Sequence, residues 1–271
     1  MRLLCIYHGG NCADGFAAAW AVRRRYPDAE FFAGVYQTPP PDVSGRDVLI
    51  VDFSYKRPVL LDMAKAARRI VILDHHKSAV DDLVDLPENV HAIFDMNRSG
   101  AMITWNYLFP DSTPPKQFEH IQDRDLWRFE LPLTREILAA VFSYPYDFET
   151  WDTLMSTDPS ILATEGTAIN RKHMKDIREL LAATQRRMVI GGIDVPVANL
   201  PYIYSSDAGH IMAQNEHFAA CYWDTPDGRV FSLRSTDAGM DVCEIAKQYG
   251  GGGHRNAAGF KVSKKHLLTI L

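Results

Sequence analysis

Two stretches decide the fold: Val48-Leu49-Ile50-Val51-Asp52, and Ile70-Val71-Ile72-Leu73-Asp74-His75-His76. Each is an unbroken apolar run that stops on acidic or imidazole side chains. Unbroken apolar strands are buried on both faces, which is the condition of a parallel sheet covered by helices. The flanking sequence agrees. Residues 3–7 read as a first strand, and residues 14–26 as an Ala-rich helix with Arg23, Arg24 and Arg25 near its end, where cations suit the helix dipole. Residues 30–36 read as another strand, Pro39, Pro40 and Pro41 forbid regular structure, and Pro58 opens a helix over 58–67. Strands alternating with helices predict an α/β chain whose N-terminal domain is a parallel, doubly wound sheet.

Farther along, a helix is predicted over 99–108, ended by Pro110, Pro114 and Pro115, and a long helix over 165–189. Gly191-Gly192 then opens a run of short strands at 193–199, 217–224 and 230–235, with a hairpin turn around Asp227-Gly228, and a helix follows at 241–249. The expected domains are 1–160, a connecting helix over 161–190, and a smaller α/β domain over 191–271, the two lobes facing a cleft. The 271 residues carry a net charge of −5, with 46% hydrophobic and 23% charged residues, which excludes wholesale disorder and fibrous classes. No apolar run is long enough for a membrane span, and the N-terminus reads as a strand, not a signal peptide. Cys5, Cys12, Cys221 and Cys243 form no CxxC pair, so the expectation is free thiols in a reducing, cytoplasmic setting. The acidic balance argues against long duplex nucleic acid as a partner. It leaves room for a small phosphorylated substrate in a local basic pocket.

Chemistry concentrates where the predicted strands end. The first runs into His8 and Asp14, the second into Asp52, the third into Asp74, His75 and His76. One aspartate after a strand is commonly a turn or cap residue. Three strands delivering such groups to one sheet edge, where open parallel sheets bind ligands, is a different matter. Carboxylates and imidazoles without a thiolate cluster suit Mn²⁺, Fe²⁺, Zn²⁺ or Mg²⁺, ions that activate water and clamp phosphoryl oxygens. A second constellation runs from Gly250 to Gly253 and on through His254 and Arg255, where backbone amides can approach an anion closely. Arg234 and Ser235 could add a phosphate clamp.

These residues also carry a resemblance. The chain resembles the DHH phosphoesterase superfamily, and within it members with the DHH-associated C-terminal domain, such as the RecJ-like and NrnA-like enzymes. Asp74-His75-His76 is similar to the signature triplet, Val51-Asp52-Phe53-Ser54 to the second motif, residues 121–125 to the fourth, and Gly251-Gly252-Gly253-His254 to the signature of the associated domain. The resemblance implies a metal-dependent phosphodiesterase with one or two ions, Mn²⁺ first among them. Its substrates would be linear dinucleotides or short single-stranded oligonucleotides, released as 5′-mononucleotides. A phosphomonoesterase or pyrophosphatase acting on a small phosphorylated nucleotide, such as a 3′-phosphoadenosine nucleotide, is the alternative. Carried over by position, His8 would ligate one metal and Asp14 the other, Asp52 both, and His75 the second, with Asp123 or Asp125 completing it. Asp74 would orient this group, and His76 would sit against the scissile phosphate. Arg98, Ser99, Arg234, Ser235, Gly252, Gly253 and His254 are the expected substrate contacts. The first motif departs from the family pattern His-x-x-x-Asp-x-Asp, because Cys12 stands where the first carboxylate belongs. Cys12 is then a small buried residue, a thiolate ligand favouring Zn²⁺ or Fe²⁺, or the mark of a weakened metal site. A homodimer is compatible with the sequence.

Overall fold

The computed structural model describes residues 3–266. The chain divides into two compact units, Met1–Asn170 and Arg171–Leu271. The first contains β1 (Leu4–His8), α1 (Ala13–Arg25), β2 (Glu30–Gly34), β3 (Asp47–Val51), α2 (Arg57–Ala66), β4 (Arg69–Asp74), α3 (Lys77–Asp82), β5 (Val90–Phe94), α4 (Gly100–Leu108), α5 (Lys116–Asp125), α6 (Thr134–Ser143) and α7 (Phe148–Ser156), and α8 (Pro159–Thr184) begins in it. The five strands pair in parallel in the order β2-β1-β3-β4-β5. Alternation along each strand feeds two cores. Cys5, Leu49, Val51, Val71 and Leu73 pack with α1 and α4, and also with α5, α6 and α7. Leu4, Ile6, Val48, Ile50, Ile70 and Ile72 pack with Leu60 and Met63 of α2 and Ala79 of α3. Both faces are covered, so the central strands are apolar without a break over 48–51 and 70–73, as their sequences require.

The second unit has β6 (Gln185–Ile190), β7 (Ile193–Asn199), a 3₁₀ turn (Tyr202–Tyr204), α9 (Ser205–Met212), β8 (Ala219–Thr225), β9 (Gly228–Arg234), α10 (Val242–Lys247), β10 (Gly252–Gly253) and β11 (Ala257–Ser263). Its mixed sheet runs β10-β11-β9-β8-β7-β6, with β7 and β8 parallel and the other pairs antiparallel. The hairpin at Asp227-Gly228 closes between Thr225 and Gly228.

One expected element is corrected. The long helix ends at Thr184, not at 189, and residues 185–190 form β6. Gly191 and Gly192 take φ of +61° and +82°, which makes a tight two-residue hairpin joining Ile190 to Ile193. The alternation of exposed Arg187 and Val189 with buried Met188 and Ile190 has the period of a strand. The division of the chain accordingly falls within α8, not at the helix's end. All four cysteines are free thiols. Among the described residues no helix is long and apolar enough to cross a membrane.

Helix α8 lies close against α6 at Gly166, where an added Cβ would stand 1.7 Å from the Glu136 carbonyl oxygen and 3.0 Å from the Ala140 nitrogen. Both obstacles are backbone, so the helices would have to separate. Gly166→Ala is expected to destabilise the protein by roughly 2–3 kcal/mol, measured as a lower urea midpoint at unchanged slope.

Candidate metal centre

The adjacent strands β1, β3 and β4 end at one edge and deliver His8, Asp52 and the Asp74-His75-His76 triplet. Asp52 takes a left-handed backbone, φ +52°, while its amide still donates to the Leu73 carbonyl at 2.8 Å. For a non-glycine residue that conformation costs about 1 kcal/mol or more. Its two carboxylate oxygens serve different partners. Oδ2 lies 3.3 Å from His8 Nδ1, and Oδ1 lies 3.1 Å from His75 Nε2. Asp14, in the first turn of α1, accepts from the amides of Gly100 at 2.6 Å and Ala101 at 3.1 Å, the positive end of α4. Its Oδ2 is 3.8 Å from His75 Nε2, and Asp125 Oδ2 is 3.5 Å from the same nitrogen.

Glycines make this crowding possible. A Cβ at position 100 would fall 2.4 Å from Asp52 Cβ, and one at position 15 would fall 2.3 Å from the His8 carbonyl oxygen. Asp74 supports the edge from beneath. It is fully buried, and Oδ2 accepts from the Ser54 hydroxyl at 2.6 Å. Its Oδ1 takes the His75 amide at 2.8 Å and lies 2.7 Å from His76 Nδ1, so it fixes both the turn and the ring. Burial would raise the Asp74 carboxyl, but the His76 charge and hydrogen bond outweigh it and hold it at about 2.

The donors form two sets that share Asp52. The ligand atoms of Asp14, Asp52 and His75 lie within 4.8 Å of one another, and so do those of His8, Asp52 and His76. The electrostatics fit a cation. Burial and the neighbouring carboxylates raise Asp14 well above its usual range, and burial is the main cause of the rise at Asp125. Burial opposes charge on His75, yet Asp125, Asp52 and Asp14 prevail and push it up to about 10. Burial also opposes the Asp52 carboxylate, which the hydrogen bonds from His75 and His8 nonetheless hold well down. Three carboxylates around one imidazole call for positive charge, which a divalent ion on the same donors would supply. Carboxylate and imidazole ligands of this kind suit Mn²⁺, Fe²⁺, Zn²⁺ and Mg²⁺.

The other expected site residues divide. Cys12 caps α1: its sulfur accepts from the Gly15 amide at 3.5 Å and donates to Asp52 Oδ2 at 3.4 Å. Burial, then the charges of Asp52, Asp125 and Asp14, raise this thiol, so it stands as a donor to the shared carboxylate. Asp123 has other partners. Its carboxylate is consumed by the following loop, accepting from the amides of Glu130 at 2.8 Å and Leu131 at 3.2 Å and from the Thr134 hydroxyl at 2.6 Å. Asp125, two residues on, is the one beside His75. Ser99 is fully buried, caps α4 by accepting from the Met102 amide at 3.4 Å, and bonds Asp14, so it positions that carboxylate. Arg98 is half exposed and pairs with Asp95 at 3.4 Å.

In the second unit, Arg234 and the glycine run meet at one end of the sheet. Arg234 pairs in register with Ala257, whose carbonyl accepts from the His254 amide at 2.8 Å. The Arg234 guanidinium is aimed by the Ser206 hydroxyl at 2.8 Å and the Ser232 hydroxyl at 3.0 Å. The Ser235 amide donates to the Asn256 carbonyl at 3.0 Å, and its hydroxyl is buried with no hydrogen-bond partner among the described residues. Gly252 and Gly253 pair with Gly259 and Ala258. Sequence reasoning missed Gly100, although a serine cap followed by glycine was there to be read, and Tyr36, which follows β2 on the same sheet edge.

Asp125→Asn is expected to weaken Mn²⁺ binding at least tenfold, read by titration calorimetry. Asp123→Asn is expected to leave the number of bound ions unchanged and to lower stability by about 2 kcal/mol, through its lost loop contacts.

No family model matches the chain. It is 30% identical to the "Uncharacterized protein R106" of Acanthamoeba polyphaga mimivirus, over 95% of this chain and 67% of that protein. Among solved structures it is similar to the DHH domain of a member of the s1p family of ribosomal proteins, with a TM-score of 0.62 and 14% identity, covering 99% of this chain and 84% of that one. It is also similar to PggH of Vibrio cholerae, described as a pGpG-specific phosphodiesterase, with a TM-score of 0.50 and 14% identity over 97% of this chain and 94% of that one. The chain belongs to the family of the mimivirus protein, and its fold is that of the DHH-domain proteins.

Proposed function

We propose that the protein is a metal-dependent phosphoesterase, and within that class a phosphodiesterase that converts linear dinucleotides or short single-stranded oligonucleotides to 5′-mononucleotides. The observation that carries this reading is Asp52, one carboxylate with a donor set on each side, at the edge where a parallel sheet binds its ligands. Asp14, Asp52, His75 and Asp125 would hold one divalent ion, and His8 with Asp52 a second. Bound there, the ions supply Lewis-acid charge to phosphoryl oxygens and make water nucleophilic near neutral pH. Mn²⁺ is the first choice.

The chain's own residues then orient the substrate. His76 has its Nδ1 held by Asp74 and turns the rest of its ring to the donor group, where it faces a phosphoryl oxygen. Within the second unit, Arg234 and the glycine hairpin with His254 offer a guanidinium and backbone donors of the kind that bind a phosphate. Dinucleotide chemistry also agrees with the stated specificity of the Vibrio cholerae protein that shares this fold.

The test is product analysis by chromatography and mass spectrometry. With Mn²⁺ the protein receives 5′-phosphorylated dinucleotides, a longer single strand and a 3′-phosphoadenosine nucleotide. Mononucleotides are expected from the dinucleotides first. Inorganic phosphate without diester cleavage would move the assignment to a phosphomonoesterase, and equal rates on the long strand would overturn the preference for short substrates.

A further inference from the structure

The turn after β2 carries a side chain that neither donor set uses. Tyr36 sits at the second position of a tight turn closed by the Thr38 amide on the Val35 carbonyl at 3.1 Å. The Thr38 hydroxyl donates to the same carbonyl at 2.7 Å. Gln37, at the third position, has φ +67°, a conformation that turns normally give to glycine. A non-glycine residue held this way costs about 1 kcal/mol or more, and such strain clusters where a side chain must be aimed.

The turn aims Tyr36 at the metal centre. Its ring meets His8 edge-on at a centroid distance of 5.3 Å and His76 at 6.0 Å, and it lies against Phe53 at 4.7 Å. Gly34 permits that approach, because a Cβ there would stand 2.9 Å from the Phe53 ring. Yet Tyr36 is 44% exposed, and its hydroxyl has no hydrogen-bond partner among the described residues. It is a neutral donor on a ring that lies beside two imidazoles, where an anion would otherwise meet mostly acceptors.

We propose that Tyr36 is a substrate-contacting residue whose hydroxyl donates a hydrogen bond to a non-bridging phosphoryl oxygen bound beside His8 and His76. The inference rests on the phosphoesterase reading and adds a donor that neither metal ligation nor the second unit provides. The ring supplies the wall on which the phosphate rests, and the hydroxyl supplies the directional contact. A donor aimed at an oxygen that gains charge in the transition state acts on kcat more than on KM.

The decisive variant is Tyr36→Phe, which keeps the ring and its packing and removes the hydroxyl. With a 5′-phosphorylated dinucleotide and Mn²⁺, kcat is expected to fall at least about tenfold, and by up to the 10²–10³ that losing one such donor costs. KM is expected to change by less than about threefold, and the melting temperature and the calorimetric Mn²⁺ affinity are expected to stay at wild-type values. A wild-type kcat in Tyr36→Phe overturns the proposal. If the wild-type protein cleaves no phosphoester, the phosphoesterase reading fails, and the contact is judged on inorganic phosphate binding to the Mn²⁺-loaded protein. Affinity about fivefold weaker in Tyr36→Phe supports the hydroxyl's role, and equal affinity overturns it.

Discussion

The structure is organised around one electrostatic constraint, the burial of like charges side by side. Asp14, Asp52 and Asp74 are each at most 2% exposed, at one sheet edge. Carboxylates in such surroundings are tolerable only when every lone pair is answered. The answers come from all over the first unit. The positive end of α4 takes Asp14, His75 and His8 take Asp52, and Ser54 with His76 takes Asp74. Gly100 and Gly15 lie where they do because these charges must be reached at backbone distance. The folded core supplies the rigidity that holds these carboxylates side by side at the sheet edge.

Much of this is legible in the sequence. Unbroken apolar runs ending on Asp52 and on Asp74-His75-His76 announced both the parallel sheet and the edge where its chemistry gathers, because covering both faces and placing ligands at strand ends are general properties of such sheets. Asp123 and Asp125 were not separable. Residues two apart on a helix point in different directions, so one meets the loop and the other meets His75, and the sequence does not say which way α5 is turned. Asp14 and Gly100 are 86 residues apart, so no local pattern links them. Tyr36 carries no metal-type signal and was hidden among ordinary core aromatics. The switch from helix to strand at Thr184 has no proline or glycine to mark it, and only the glycine pair beyond β6 betrays the hairpin.

The first motif deserves comparison with its surroundings. Cys12 stands where the motif it resembles would place a carboxylate, and in this chain it donates to Asp52. A fourth carboxylate at that point would add to the repulsion that already lifts Asp14 and Asp125. A neutral thiol lightens the load on the shared carboxylate while keeping a polarisable atom within reach of it.

The loop after α5 has one further consequence. Trp127, Phe129 and Leu133 take φ of +56°, +52° and +63°, so a short run of chain holds three non-glycine residues in the left-handed region. It stays there because the Asp123 carboxylate pins it, and it sets the end of the helix that carries Asp125. Regions with stored strain and few buried apolar contacts open at lower free energy than the sheet beneath them. On warming, this loop is expected to open ahead of the sheet and to carry Asp125 away from His75 while the cores on either side of that sheet are still folded.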